Sequence, residues 1–183
     1  MPALSVFTQP ATVAVFASGP GALSFGGASL GMSKADWLQL VPSGVTTGRA
    51  AASCAPAAGV AAAGAAVSCT YATRYGQVTL PQAIPLSGGY LARAPTYVFV
   101  GDRLRRIEFR TSLNAFNALD ARFTQRFGPP SLTLRQAVPT HSGPKLDRVV
   151  RAWRAPGGVV RIIDPSTARP DSLSVVYTDL GAP

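Results

Sequence analysis

A single histidine, His141, and a single glutamate, Glu108, set the first limits on what this 183-residue chain can do. A nucleophilic serine or cysteine needs an imidazole within hydrogen-bond reach. His141 lies beside Ser142 in a loop bounded by proline and glycine, where sequence neighbours seldom face one another, and no Gly-x-Ser-x-Gly elbow occurs. One histidine and two cysteines without Cys-x-x-Cys spacing fall short of the ligands a zinc site requires. Phosphate loops are missing as well: GGASLG breaks the Gly-x-Gly-x-x-Gly order, and no Gly-x-x-x-x-Gly-Lys-Ser/Thr occurs. No catalytic residue, metal or cofactor is therefore expected. The aspartates fit turns and caps, Asp102 after Gly101, Asp164 before Pro165 and Asp171 after Pro170.

Charge is also scarce. Charged side chains make up 14% of the chain, against a usual share of about 25%. With 47% hydrophobic residues, this balance excludes bulk disorder. Long apolar runs are lacking too. Residues 1–33 carry no charge but are broken by Pro2, Pro10, Pro20 and several glycines, and residues 50–73 are dominated by alanine and interrupted by Pro56. Neither supplies the ~20 strongly apolar residues of a membrane-spanning helix. The run Ala11 to Ala17 followed by Ser18 reads as a signal remnant or an edge strand, although no basic residue precedes it.

What charge there is has one sign. The net charge is +9, and fifteen of the seventeen basic residues are arginine. Residues 1–92 hold Lys34, Arg49 and Arg74 against Asp36, for +2, whereas residues 93–183 hold fourteen basic and seven acidic side chains, for +7. Such a field attracts acidic protein surfaces, anionic envelope components or nucleic acid. An arginine- and alanine-rich codon bias gives the same composition without any ligand. Cys54 and Cys69 admit two readings, a disulfide closing the Ala/Gly-rich segment between them or a pair of buried free thiols.

Along the chain, Val13, Val15 and Phe16 hint at a short strand. Ser33, with Asp36 three residues later and Met32 placed to staple Trp37, starts a helix whose apolar face is Trp37, Leu38 and Val41 and which ends at Pro42 and Gly44. Eleven of the seventeen residues from Ala50 to Ala66 are alanine, and Thr46 to Ser68 reads as a surface loop. Alternation resumes at Val67, Cys69, Tyr71 and Thr73, and QVTLPQAI reads as an irregular edge segment because Pro81 and Pro85 block central pairing. TYVFV, Gly101-Asp102 and RLRRIEFR form a hairpin with Ile107 and Phe109 on one side and Arg106, Glu108 and Arg110 on the other. A helix over about Leu113 to Phe127 is marked by Leu113, Phe116, Leu119, Phe123 and Phe127, capped by Ser112 and stopped by Gly128. Strands follow in SLTLRQA, in RVVRAW and VVRIID joined by Pro156-Gly157-Gly158, and in DSLSVVYTDL.

This order predicts an α+β fold, an antiparallel β-sheet with helices packed on one face, in two tandem helix-plus-strands units. An N-terminal segment (1–23) precedes a first unit (24–111) and a second (112–183), packed as one body. Ser33 and Ser112 open the two units, and GASLGMSKADWLQLVPSG with the helix ending RFGPPS is similar to units of the BLIP-like (β-lactamase-inhibitor-protein-like) and BamE/SmpA-like envelope domains, over about residues 24–180. The resemblance implies a non-catalytic bacterial envelope protein, periplasmic or secreted, that binds another protein through a sheet face. It carries over no binding residues. The lipid anchor of BamE-like proteins is not expected here, because Ala52-Ser53-Cys54 lies too deep and lacks an apolar run before it.

Arg106, Arg110, Arg151, Trp153, Arg154 and Arg161 are the candidate interaction patch, since arginine and tryptophan favour interfaces. The plainer account is that arginine solubilises an outward strand face and that Trp153 is core. Another protein is the first expected partner. A cytoplasmic nucleic-acid-binding module using the basic half is the second reading, and a small hydrolase the third.

Overall fold

The computed structural model describes residues 23–40, 50–57, 66–75, 77–139, 145–166 and 169–181. Strict alternation in YVFV and RIEF places every second side chain on one face, and that pattern builds the centre of the molecule. A short ribbon, β1 (Ser24–Phe25) with β2 (Ala28–Ser29), leads into helix α1 (Lys34–Gln39). The strands β3 (Ala50–Pro56), β4 (Val67–Tyr75), β5 (Val78–Pro81), β6 (Ala83–Pro85), β7 (Leu91–Val100) and β8 (Arg103–Ser112) come next. A 3₁₀ turn (Leu113–Ala115) then opens helix α2 (Phe116–Phe127), before β9 (Leu132–Pro139), β10 (Lys145–Ala155), β11 (Gly158–Asp164) and β12 (Ser172–Asp179).

All strands from β3 onward join one ten-stranded antiparallel sheet in the order β3-β4-β7-β8-β12-β11-β10-β9, with β5 paired to β4 and β6 to β7. One line of register crosses most of it: Cys54, Cys69, Tyr97, Ile107, Tyr177, Val160 and Trp153 stand opposite one another in turn. That line marks the core face. Phe25 of the β1–β2 ribbon stacks on Phe109 at 4.4 Å. Trp37 of α1 stacks on Tyr71 at 4.3 Å and meets Tyr97 and Phe99. Phe123 of α2 meets Trp153 edge-on at 5.3 Å. Aromatic side chains of this size dominate core energetics, and these are all buried.

The expected α+β arrangement is corrected: the protein is mostly antiparallel β-sheet. Strand accounts for 60% of the described residues, and a single helix of substance remains. The helix at Ser33 stops at Gln39 with Leu40 as its cap, and Trp37 is its one buried residue. Leu38, assigned to its apolar face, is 48% exposed. With six residues, less than two turns, α1 is a ledge for one tryptophan rather than a layer. The sheet also runs on past residue 112, because β8 pairs directly with β12.

The alanine-rich segment is the second correction. Ala50–Pro56 is strand β3, not loop, paired from Ala50 opposite Thr73 to Pro56 opposite Val67. Cys54 stands opposite Cys69 in that register and is bonded to it. Alanine has little strand preference of its own, and a covalent clip between facing residues fixes the register that propensity leaves undecided.

Other expectations hold in form. The hairpin turns at Gly101-Asp102, with Gly101 at φ +59°, and β5 and β6 stay off the main strand path. Ser112 accepts from the Asn114 N–H, and Gly128 (φ 81°) closes α2. Leu113, expected in the helix face, is instead 37% exposed. Val13, Val15, Phe16, Val41, Pro42, Gly44, His141 and Ser142 lie outside the described residues.

Candidate interaction face

Cross-strand register decides which of the six candidate residues share a face. On β8, Ile107 and Phe109 point into the core, so Arg106, Glu108 and Arg110 point the other way. Three rows then cross the opposite face. The first runs Val98, Arg106, Thr178, Val159, Arg154. The second runs Thr96, Glu108, Val176, Arg161, Ala152, Leu132. The third runs Arg93, Arg110, Ser174, Ile163, Val150, Leu134. From β7 to β9 the face spans roughly 24 Å at the usual strand spacing of about 4.8 Å.

Arg106, Arg110, Arg154 and Arg161 are thus brought together. Arg151 and Trp153 are not. Both sit on the core face, one register step from Arg154 and Ala152, and Trp153 is fully buried. Arg151 instead anchors α2: it pairs with Asp120 and lies 5.5 Å over the ring of Phe116. The Asp120–Arg151 pair is one of three ion pairs recorded among the described residues, with Arg105–Asp179 and Arg106–Glu108. Arg106 is therefore partly neutralised by its neighbour, whereas Arg110, Arg154 and Arg161 have no carboxylate partner among the described residues.

The face is not uniformly basic. Towards β9 it becomes aliphatic: Leu132 is 50% and Leu134 43% exposed, and Val150 and Ile163 beside them are half-buried. Sequence reasoning missed these four residues, and it missed Arg93. The signal was present in Leu132 and Leu134, two residues apart in SLTLRQ, but alternation alone does not say that β9 meets no covering layer. The β1–β2 ribbon, α1 and α2 all pack on the core face. Among the described residues, the opposite face carries no helix.

Other titratable groups belong to the scaffold. Asp36 accepts from the Ser33 hydroxyl at the start of α1, and Asp179 accepts from Arg105 and from the Gly181 N–H. Burial pushes the phenols of Tyr71, Tyr97 and Tyr177 well above the ordinary tyrosine range. The Tyr71 hydroxyl donates to the Trp37 carbonyl at 2.8 Å and so ties β4 to α1. No helix among the described residues is long and apolar enough to cross a membrane. In comparisons with known proteins, no protein family, curated protein or solved structure matches this chain. The resemblance to BLIP-like and BamE/SmpA-like domains thus rests on its sequence features alone.

Proposed function

We propose that this protein is a non-catalytic binding domain of the bacterial envelope, periplasmic or secreted, that holds an acidic protein partner against the face of its sheet opposite α1 and α2. One observation carries the reading: Arg110, Arg154 and Arg161 share that face with exposed leucines, and among the described residues no carboxylate pairs with them. Arginine beside aliphatic surface is the composition of interface centres, and the net charge of +9 steers acidic partners toward it. The Cys54–Cys69 disulfide fits an oxidising compartment.

The lopsided basic charge also favours nucleic acid as a second reading. Against it, Trp37, Trp153, Tyr97, Tyr177, Phe25, Phe99, Phe109 and Phe123 are each less than 2% exposed, so none offers a ring on which bases could stack.

Immobilised protein, presented to a periplasmic extract, would retrieve a partner to be purified and rebound in a defined assay. The Arg154→Glu/Arg161→Glu variant should then bind about tenfold or more weakly while its circular dichroism stays unchanged. Equal affinity would overturn the reading. A parallel titration with a mixed oligonucleotide pool should show no binding. Tight binding that falls steeply with salt would replace the protein-partner reading with the nucleic-acid one.

A further inference from the structure

We propose that the Arg110 end of this face holds a small oxyanion pocket that takes a phosphate-class group. A depression of about 210 Å³ is lined there by Arg93, Arg110, Ser112, Arg169, Asp171 and Ser172 among others. It is smaller than the pockets that enclose drug-sized ligands, and suits an inorganic anion or one terminal group of a larger molecule.

The positions of the three arginines are set by backbone. Arg93 and Arg110 stand directly opposite one another on β7 and β8. Like charges in that position repel and destabilise a strand pair, unless an anion sits between them. Ser112 and Ser172 are likewise opposed, on β8 and β12. The Ser172 N–H and hydroxyl both donate to the Arg169 carbonyl at 3.2 Å, which holds the third guanidinium's chain segment at the rim. Among the described residues, none of the three arginines forms an ion pair. Guanidinium forks bind phosphate-type oxygens two at a time. The Ser112 oxygen already accepts from the Asn114 N–H, which leaves its hydroxyl proton to donate. Asp171 is the one carboxylate in the lining and opposes the anion, so it tunes affinity downward.

The pocket is tested with inorganic phosphate, titrated calorimetrically at constant ionic strength against chloride. Saturable binding is expected. Arg110→Gln should weaken it by about tenfold or more, on the usual strength of charge-assisted hydrogen bonds. Arg93→Gln/Arg110→Gln should abolish it, and Asp171→Asn should tighten it. Arg135→Gln, which removes one charge from β9 on the other face, should leave it unchanged. Absence of saturable binding, or equal loss in Arg135→Gln, overturns the site. Near-ultraviolet circular dichroism checks that the double variant folds. Should it not, the Asp171→Asn gain decides, and no gain counts against the proposal. Vesicles containing phosphatidic acid separate the sources: co-sedimentation that phosphate competes away assigns a lipid headgroup, whereas phosphate binding without co-sedimentation assigns a soluble ligand. The Arg154 and Arg161 substitutions lie outside this lining, so partner binding and anion binding can fail separately.

Discussion

Gly158 has no room for a side chain. A Cβ there would lie 2.5 Å from the Thr178 carbonyl oxygen, and about as close to Leu23 and Leu30 of the ribbon above as packing allows. Gly158→Ala should therefore cost about 1–3 kcal/mol, as overpacking does, because a backbone carbonyl cannot rotate out of the way. A lowered midpoint in urea unfolding at unchanged slope would record it. In the sequence Gly158 reads only as the last residue of a Pro-Gly-Gly turn, and its packing role depends on β12 and the N-terminal ribbon, both distant in the chain. Arg151 and Arg154 teach the same lesson. Their spacing of three puts them on opposite faces of a strand, and period-two alternation could have separated them. The actual partners of Arg151, Asp120 and Phe116, come from α2 and follow from no local pattern.

At the scale of the element, α2 is held by one polar clamp and a row of rings. Asp120 and Arg151 are 21% and 27% exposed, so their pairing is stronger than a surface bridge and weaker than a fully buried one. Asp120→Ala should cost about 1–2 kcal/mol, chiefly by stranding the guanidinium under α2. Asp120→Ala/Arg151→Met should recover part of that loss, and thermal unfolding of the three proteins checks it. Strand β3 depends on a different bond. Its side chains from Ala51 to Pro56 are exposed, so β3 is held by its ladder to β4 and by the bridge from Cys54 to Cys69. On chain-entropy grounds, Cys54→Ser/Cys69→Ser should lose about 3 kcal/mol for a loop of this size. Amide exchange should then rise in Ala50–Pro56 and stay low in β8 and β12. Uniform loss of protection would contradict this account. The helix at Ser112 and the two late hairpins were legible because their caps, turns and periodicities are local. Strand β3 was not, because its register comes from a covalent partner fifteen residues on.

For the molecule as a whole, the three buried phenols set an alkaline limit. Tyr71, Tyr97 and Tyr177 have folded pKa values raised above the unfolded value near 10, so their protons are held more tightly in the native state. Stability is fully present below about pH 10 and falls as pH climbs above it, since the unfolded chain then releases protons that the native fold retains. Tyrosinate absorbance should therefore rise together with loss of near-ultraviolet circular dichroism. Titration of all five tyrosines while the fold persists would contradict the burial. Apart from β3, the main strands and their alternation could be read from sequence, but their spatial order could not, because β12 pairs with β8 across sixty residues of chain.

That order has a consequence for how the molecule is made. Strand β12, last in sequence of the twelve strands among the described residues, lies between β8 and β11 near the middle of the sheet. During synthesis, then, the β7–β8 ribbon and the β9–β11 group are each left with an unpaired central edge until Ser172–Asp179 emerges to join them.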